Sequence, residues 1–122
     1  MQKDRDRVRK SKYKSKSSNP TIKSDDVYNM LLTIPAGMVS TYGDLAKALG
    51  NPGASRRIGK ILSENPNPIE VPCHRVVKSD GMIGGFALGI SKKKELLENE
   101  GLLFVEGLKI SDFENKRFRP EN

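Results

Sequence analysis

Thr41–Leu62, TYGDLAKALGNPGASRRIGKIL, is the stretch that decides the fold. It holds two short helical patterns around Gly50-Asn51-Pro52-Gly53. Ser40 or Thr41 is placed to cap the first, which runs through Leu49 with Leu45, Ala48 and Leu49 turned inward. Gly50 can take the left-handed conformation that ends a helix. The second pattern runs from about Ala54 to Glu64, with Ile58, Ile61 and Leu62 on its apolar face, and Asn65-Pro66-Asn67-Pro68 stops it. Two short helices around a glycine-containing turn read as a helix-turn-helix or as a plain helical hairpin. In the first case Arg56 and Arg57, at the start of the second helix, reach phosphates or bases, and small Ala54 and Ser55 allow close approach. In the second case they are a solvated surface.

Upstream, Ser24 reads as the N-cap of a helix with Asp25 and Asp26 in its first turn. Val27, Met30, Leu31 and Ile34 follow at helical spacing, and Pro35 ends the element. Downstream, residues 69–77 read as extended, and Ser79-Asp80-Gly81 as a turn. Gly84-Gly85-Phe86-Ala87-Leu88-Gly89 lacks the context of a phosphate-binding loop and reads as a loop around a pocket. Ser91 reads as the cap of a helix to Glu100, with Leu96 and Leu97 buried. Lys92, Lys93 and Lys94 in its first turn oppose the helix dipole and read as the mark of an anionic partner or, more simply, as a solvated face. Leu102 to Phe118 reads as a short hairpin around Glu106-Gly107. The expected fold class is mainly α with short strands, a winged helix-turn-helix-like domain.

The chemistry concentrates in Val71-Pro72-Cys73-His74-Arg75-Val76, which contains the only cysteine and the only histidine of the chain. A thiol attacks as its thiolate, and an imidazole held by a carboxylate is one way to generate it. The opposing reading is a buried inert cysteine beside a packed histidine. Adjacency is also poor geometry for a direct pair, because neighbours in an extended segment point to opposite faces. A tight turn or a bridging water would be needed.

Composition sets the bounds. The 122 residues have room for one domain, expected over 21–122, behind a basic and disordered tail over 1–20. That tail carries eight Lys/Arg and two Asp, or +6, whereas the rest has 14 basic and 13 acidic residues, or +1, so the net charge of +7 is mostly the tail's. It reads as a holder of nucleic-acid phosphates or as a solubilising arm. There is no apolar run of membrane-spanning length and no secretory leader, so the expected setting is intracellular, with no membrane partner. One cysteine excludes an internal disulfide and a cysteine-based zinc site; no metal and no cofactor are expected.

The motifs fall in one order: Ile34-Pro-Ala-Gly, Thr41-Tyr-Gly, Pro52-Gly-Ala-Ser-Arg56, Asn65-Pro-Asn-Pro, Pro72-Cys-His-Arg-Val76, Gly84-Gly-Phe86 and Leu97-Glu-Asn-Glu-Gly101. Over about residues 24–105 this closely resembles the methylated-DNA–protein-cysteine methyltransferases, the O6-alkylguanine-DNA alkyltransferase family. The resemblance implies a monomer that binds double-stranded DNA through the minor groove and flips an alkylated guanine, or O4-alkylthymine, into a pocket. It implies that Cys73 takes the alkyl group irreversibly, with His74 as base through a water and Glu100 orienting His74. It gives Arg56 the role of a finger filling the space left by the base, with Ala54 and Ser55 entering the groove. Tyr42 acts on the 3′ phosphate and the base, and Asn65 braces the turn before the nucleophile. The backbone of Cys73 and Val76, with Ser79, reads the guanine edge.

Three features depart from the pattern. Phe86 stands where many members have a tyrosine, keeping a pocket wall without the hydroxyl. Arg57 replaces a small or apolar residue. The basic tail stands in place of the family's usual N-terminal domain. Two further classes compete: a non-catalytic alkyl-lesion-binding protein of the alkyltransferase-like kind, which carries tryptophan at the cysteine position, and a winged-helix regulator. A thiol hydrolase is disfavoured, since neither an oxyanion loop nor a second histidine is visible.

Overall fold

The computed structural model describes residues 22–121. The expected tail over 1–20 lies outside them. The elements in chain order are α1 (Ser24–Leu31), β1 (Ser40–Thr41), α2 (Tyr42–Ala48), α3 (Ser55–Ser63), a 3-10 turn (Cys73–Arg75), β2 (Val76–Val77), α4 (Ile90–Asn99), β3 (Phe104–Val105), β4 (Lys109–Ile110) and α5 (Phe113–Lys116). The protein is helix-rich with short strands.

Local signals in Thr41–Leu62 build α2 and α3. The Thr41 hydroxyl accepts from the Asp44 amide at 2.9 Å, satisfying one of the free N–H groups of the first turn. At the other end Gly50 has φ +83°, and the amides of Gly50 and Asn51 donate to the carbonyls of Lys47 and Ala46. That paired closure needs a left-handed residue at Gly50. α3 then starts at Ser55 and buries Ile58, Ile61 and Leu62. Its arginines at 56 and 57 remain exposed.

Two apolar clusters make the core. One gathers Val27, Met30 and Leu31 of α1 with Leu45, Ala46, Ile58, Ile61, Leu62, Cys73 and Val76. The other gathers Val39, Val77, Ile83, Leu97, Leu102 and Ile110. β1 pairs parallel to β2, Ser40 with Val76 and Thr41 with Val77. Successive strand residues point oppositely, so Val76 enters the first cluster and Val77 the second. The Cys73 turn therefore sits at the seam between the clusters, tied by β1 to the first residue of α2. β3 and β4 pair antiparallel around Glu106-Gly107 as the sequence suggested, but the hairpin ends at Ile110, and Phe113–Lys116, expected within it, is the helix α5.

The last segment is strapped back across the fold. Val39 N–H donates to the Lys116 carbonyl and Phe118 N–H to the Val39 carbonyl. Arg117 grips the Asp44 carboxylate of α2 with two bonds, of 2.9 and 3.0 Å. Burial pushes the Asp44 carboxyl up, but the bonds from Arg117 and Thr41 outweigh it and hold it below the usual range.

Several sequence expectations are corrected. Lys23, not Ser24, precedes α1, and no side chain caps it. α1 stops at Leu31, and buried Ile34 lies beyond it in a turn before Pro35. Residues 69–77 are not uniformly extended: the β-branched flanks enclose a 3-10 turn at Cys73–Arg75. α4 begins at Ile90 after Gly89, whose φ of +98° sets the entry, so Ser91 lies inside the helix and caps nothing. Leu97 is buried but Leu96 only partly so. Lys93 is not solvated; it is completely buried.

Candidate active site

The route to Cys73 is a braced loop. Asn65, nearly buried at the end of α3, donates from Nδ2 to the Val71 carbonyl at 2.9 Å and accepts the Asn67 amide on Oδ1 at 2.9 Å. One side chain thus pins both limbs of the Asn65–Pro72 excursion. Within it Ile69 holds φ +89°, a strained conformation for a β-branched residue. The Cys73 amide donates to the Val71 carbonyl at 2.7 Å.

A 3-10 turn, not an extended segment, carries the pair, and no direct bond joins the two side chains. Cys73 and His74 are both buried, and the ring of His74 turns to Glu100. His74 Nε2 lies 2.9 Å from Glu100 Oε2. Arg75 binds the same carboxylate with Nε to Oε1 at 3.0 Å and Nη2 to Oε2 at 2.8 Å. Its Nη1 donates to the Ile34 carbonyl at 2.7 Å. Glu100 is the cap residue at the end of α4, and its carboxylate joins that helix to the turn.

The charges follow. Burial pushes the Glu100 carboxyl up, but the hydrogen bonds from Arg75 and His74 outweigh this, and it stays ionised below its usual range. Burial pushes His74 down, further than Glu100 raises it, so the ring is neutral at neutral pH. An ionised carboxylate only accepts, so Nε2 carries the ring proton and Nδ1 keeps its lone pair. Nδ1 is buried and has no hydrogen-bond partner among the described residues. Burial pushes the Cys73 thiol up, opposed by a hydrogen bond from Asn65 and the charge of Lys93.

The remaining sequence-selected residues divide. Tyr42, first in α2, packs on the first cluster, and a Cβ added at Gly84 would stand 3.4 Å from its hydroxyl. Its phenol is raised by burial and by the nearby Cys73. Phe86 packs edge-on to His74, ring centres 6.4 Å apart, and so walls the site. Tyr42, Asn65, Cys73, His74, Phe86, Val76 and Glu100 come together. Ala54, Ser55 and Arg56 stand on the start of α3, with Arg56 exposed. Ser79 lies apart: it is exposed and lines a cleft with Asp80, Lys109, Ile110 and Phe113, which none of the others borders. The Val76 carbonyl accepts from Lys93 Nζ at 2.6 Å. Among the described residues no three His, Cys, Asp or Glu side chains form a metal-binding group, and no helix is long and apolar enough to cross a membrane.

Sequence reasoning missed Arg75 and Lys93. Arg75 could have been found, because it stands within the motif and a buried carboxylate shared with a neutral imidazole needs a cation. Lys93 precedes Leu97 by four residues and Glu100 by seven, which sets it on their helix face.

A helix-turn-helix with a buried thiol behind it, flanked by an imidazole–carboxylate pair, defines a class of DNA-binding-type domain carrying a cysteine site. Residues 23–102 match the family model described as 6-O-methylguanine DNA methyltransferase, DNA binding domain, and the chain belongs to that family. It is 47% identical over 95 residues to a bifunctional methyltransferase/endonuclease of Thermoplasma volcanium, covering 76% of this chain and 29% of that protein. It is 46% identical over 80 residues to a methylated-DNA–protein-cysteine methyltransferase of Shigella flexneri, covering 66% and 47%. The chain thus spans less than half the length of these two relatives. Among solved structures, Mycobacterium tuberculosis OGT in complex with DNA aligns with TM-score 0.62 and 44% identity, over 63% of this chain and 47% of that one. Schizosaccharomyces pombe Atl1 in complex with damaged DNA containing O6-carboxymethylguanine aligns with TM-score 0.67 and 28% identity, over 80% and 94%.

Proposed function

We propose that this protein repairs DNA by moving the alkyl group of an O6-alkylguanine onto Cys73 in one irreversible turnover. The observation that carries the reading is the Glu100–His74 pair, which leaves Nδ1 of a neutral, buried imidazole as a bare acceptor in the turn that holds the thiol. A buried acceptor of this kind takes a water, and a water between Nδ1 and Sγ passes the thiol proton to the ring. Glu100 then stabilises the imidazolium. The Sγ–C bond forms as the C–O6 bond breaks; the electron pair stays on the guanine, which takes up a proton. The Tyr42 hydroxyl relays it, since Phe86 has none to give; the proton taken from the thiol leaves the imidazolium through solvent and restores the phenol, so none is gained or lost overall. A thioether is no leaving group, so the protein is spent.

Reaching the carbon requires that the base leave the stack. Arg56, exposed on the start of α3 beside small Ala54 and Ser55, takes the space it vacates and holds the opposite strand, with the helix lying in the minor groove. The partner is double-stranded DNA containing an alkylated guanine, bound by a monomer inside the cell; O4-alkylthymine is a second candidate substrate. The test is stoichiometry of repair: with excess O6-methylguanine duplex, restored guanine, measured after digestion to nucleosides, stops at one equivalent per protein. Restoration beyond one equivalent contradicts the single-turnover reading.

A non-catalytic lesion-binding role is the second reading. It is favoured by the higher TM-score and fuller coverage of the Atl1 alignment, 0.67 over 80% of this chain against 0.62 over 63% for OGT. The cysteine at position 73 weighs against it. Tight lesion binding with no restored guanine would establish it.

A further inference from the structure

Lys93 is completely buried on α4, and among the described residues its hydrogen-bond partners are two backbone carbonyls and no carboxylate. An ammonium in such a place costs stability, and an apolar side chain of the same length would pack there without the desolvation penalty. What the charge does at this point is therefore a question about the site.

We infer that Lys93 is a positioning residue of the cysteine site: its ammonium ties the Val76 carbonyl, at 2.6 Å, to the Gly85 carbonyl, at 2.9 Å. Val76 directly follows the Cys73 turn and Gly85 belongs to the glycine-rich loop, so one side chain sets the spacing between nucleophile and pocket loop. Gly84 shows how close this packing is. Its φ is +73°, and a Cβ added there would lie 3.6 Å from Lys93 Nζ, 3.4 Å from the Tyr42 hydroxyl and 3.4 Å from the Lys78 stem. Hence the ammonium, the phenol and the loop meet at one point. The groups that face Lys93 are Cys73, whose thiolate it favours, His74, whose imidazolium it disfavours, Tyr42 and Lys78. Burial brings the ammonium down to about 8, so it is still mostly charged at neutral pH. The charge that favours the thiolate thus also raises the cost of the imidazolium, which the Glu100 carboxylate offsets.

The consequence for repair rests on Cys73 being the alkyl acceptor, but the coupling itself is tested without DNA. Full-length wild type, Lys93→Met and Lys93→Gln are treated with iodoacetamide from about pH 6 to about pH 10, Cys73 alkylation is followed by intact mass, and thermal melting is recorded. The methionine variant loses charge and both bonds. Glutamine can still donate to the carbonyls but has no charge. The expected result is a thiol profile moved about one unit toward higher pH in both variants, a roughly tenfold slower reaction at pH 7, with melting recovered in glutamine relative to methionine. Should methionine fail to fold, the glutamine profile decides alone. A wild-type thiol profile in the glutamine variant overturns the inference and leaves Lys93 a packing residue. Methyl transfer measured in parallel separates the two claims: a shifted profile in a protein that never accepts methyl keeps the coupling and removes the repair reading.

Discussion

Glu100→Gln is the most informative single substitution, because the two oxygens of that carboxylate serve three donors. Oε2 accepts from His74 Nε2 and Arg75 Nη2, and Oε1 accepts from Arg75 Nε. A glutamine keeps one oxygen and gains an NH2 group. With the oxygen at the Oε2 place, the NH2 faces the Arg75 Nε–H, donor against donor. With the oxygen at the Oε1 place, the NH2 faces Arg75 Nη2 and donates to His74 Nε2, which moves the ring proton to Nδ1 and removes the bare acceptor. Neither orientation keeps both the ion pair and the tautomer. Breaking a buried ion pair from one side costs about 3–5 kcal/mol. The Arg75 and Glu100 side chains are 18% and 17% exposed, which reduces the expected loss to about 2–3 kcal/mol. Urea unfolding reads this as a lower midpoint at unchanged slope. Single-turnover methyl transfer, normalised to folded protein, should slow between about 100-fold and about 10,000-fold, the range a positioned general base contributes, with the upper end that of a triad base held in the wrong tautomer. A variant that is destabilised but transfers at the wild-type rate would refute the role given to the pair and leave Glu100 a purely structural anchor.

Asp44→Asn should destabilise the domain by about 2 kcal/mol, because Arg117, 17% exposed, loses a paired carboxylate whose own side chain is only 7% exposed; an unchanged urea midpoint would show that the strap carries no load. Arg56→Ala should leave stability within about 0.5 kcal/mol, as for an exposed residue away from packing, while slowing transfer from duplex DNA far more than from a single strand, where no partner base awaits; equal slowing in both would remove the finger role. Acid should destabilise in two steps. The folded His74 lies below 6.5 through burial, so below that pH the unfolded chain binds more protons and stability falls. Glu100 lies below 4.5, where the bonds from Arg75 and His74 overcome burial, so its contribution is present above that pH and lost as pH falls through its folded value. Urea midpoints that do not drop between about pH 7.5 and about pH 5.5 would contradict the first step.

The helix-turn-helix was legible because its signals are local: a hydroxyl at Thr41, a glycine at 50, and three apolar residues at helical spacing in α3. The Cys73-His74 motif and Glu100 were legible through their ordered neighbours. The turn at Cys73–Arg75 was not, since Val71, Val76 and Val77 favour extended chain and the bonds that hold the turn come from Asn65, Glu100 and Ile34 in other segments. The burial of Lys93 depends on two carbonyls from other segments, and composition gave it no sign. The Arg117–Asp44 grip joins residues 73 apart, a separation at which local pattern is silent. Ser79 was drawn in by resemblance and stands on another cleft, because the turn that carries it faces the β3–β4 hairpin.

The central claim is that Cys73 is the alkyl acceptor, and intact mass tests it most directly. Full-length protein is incubated with excess O6-methylguanine duplex beside a Cys73→Ala control. A gain of about 14 Da, saturating at one per molecule, mapped to the peptide containing Cys73 and missing from the control, is the predicted result. An unchanged mass in a protein that still binds the lesion tightly would contradict it and leave a recognition domain with an idle thiol.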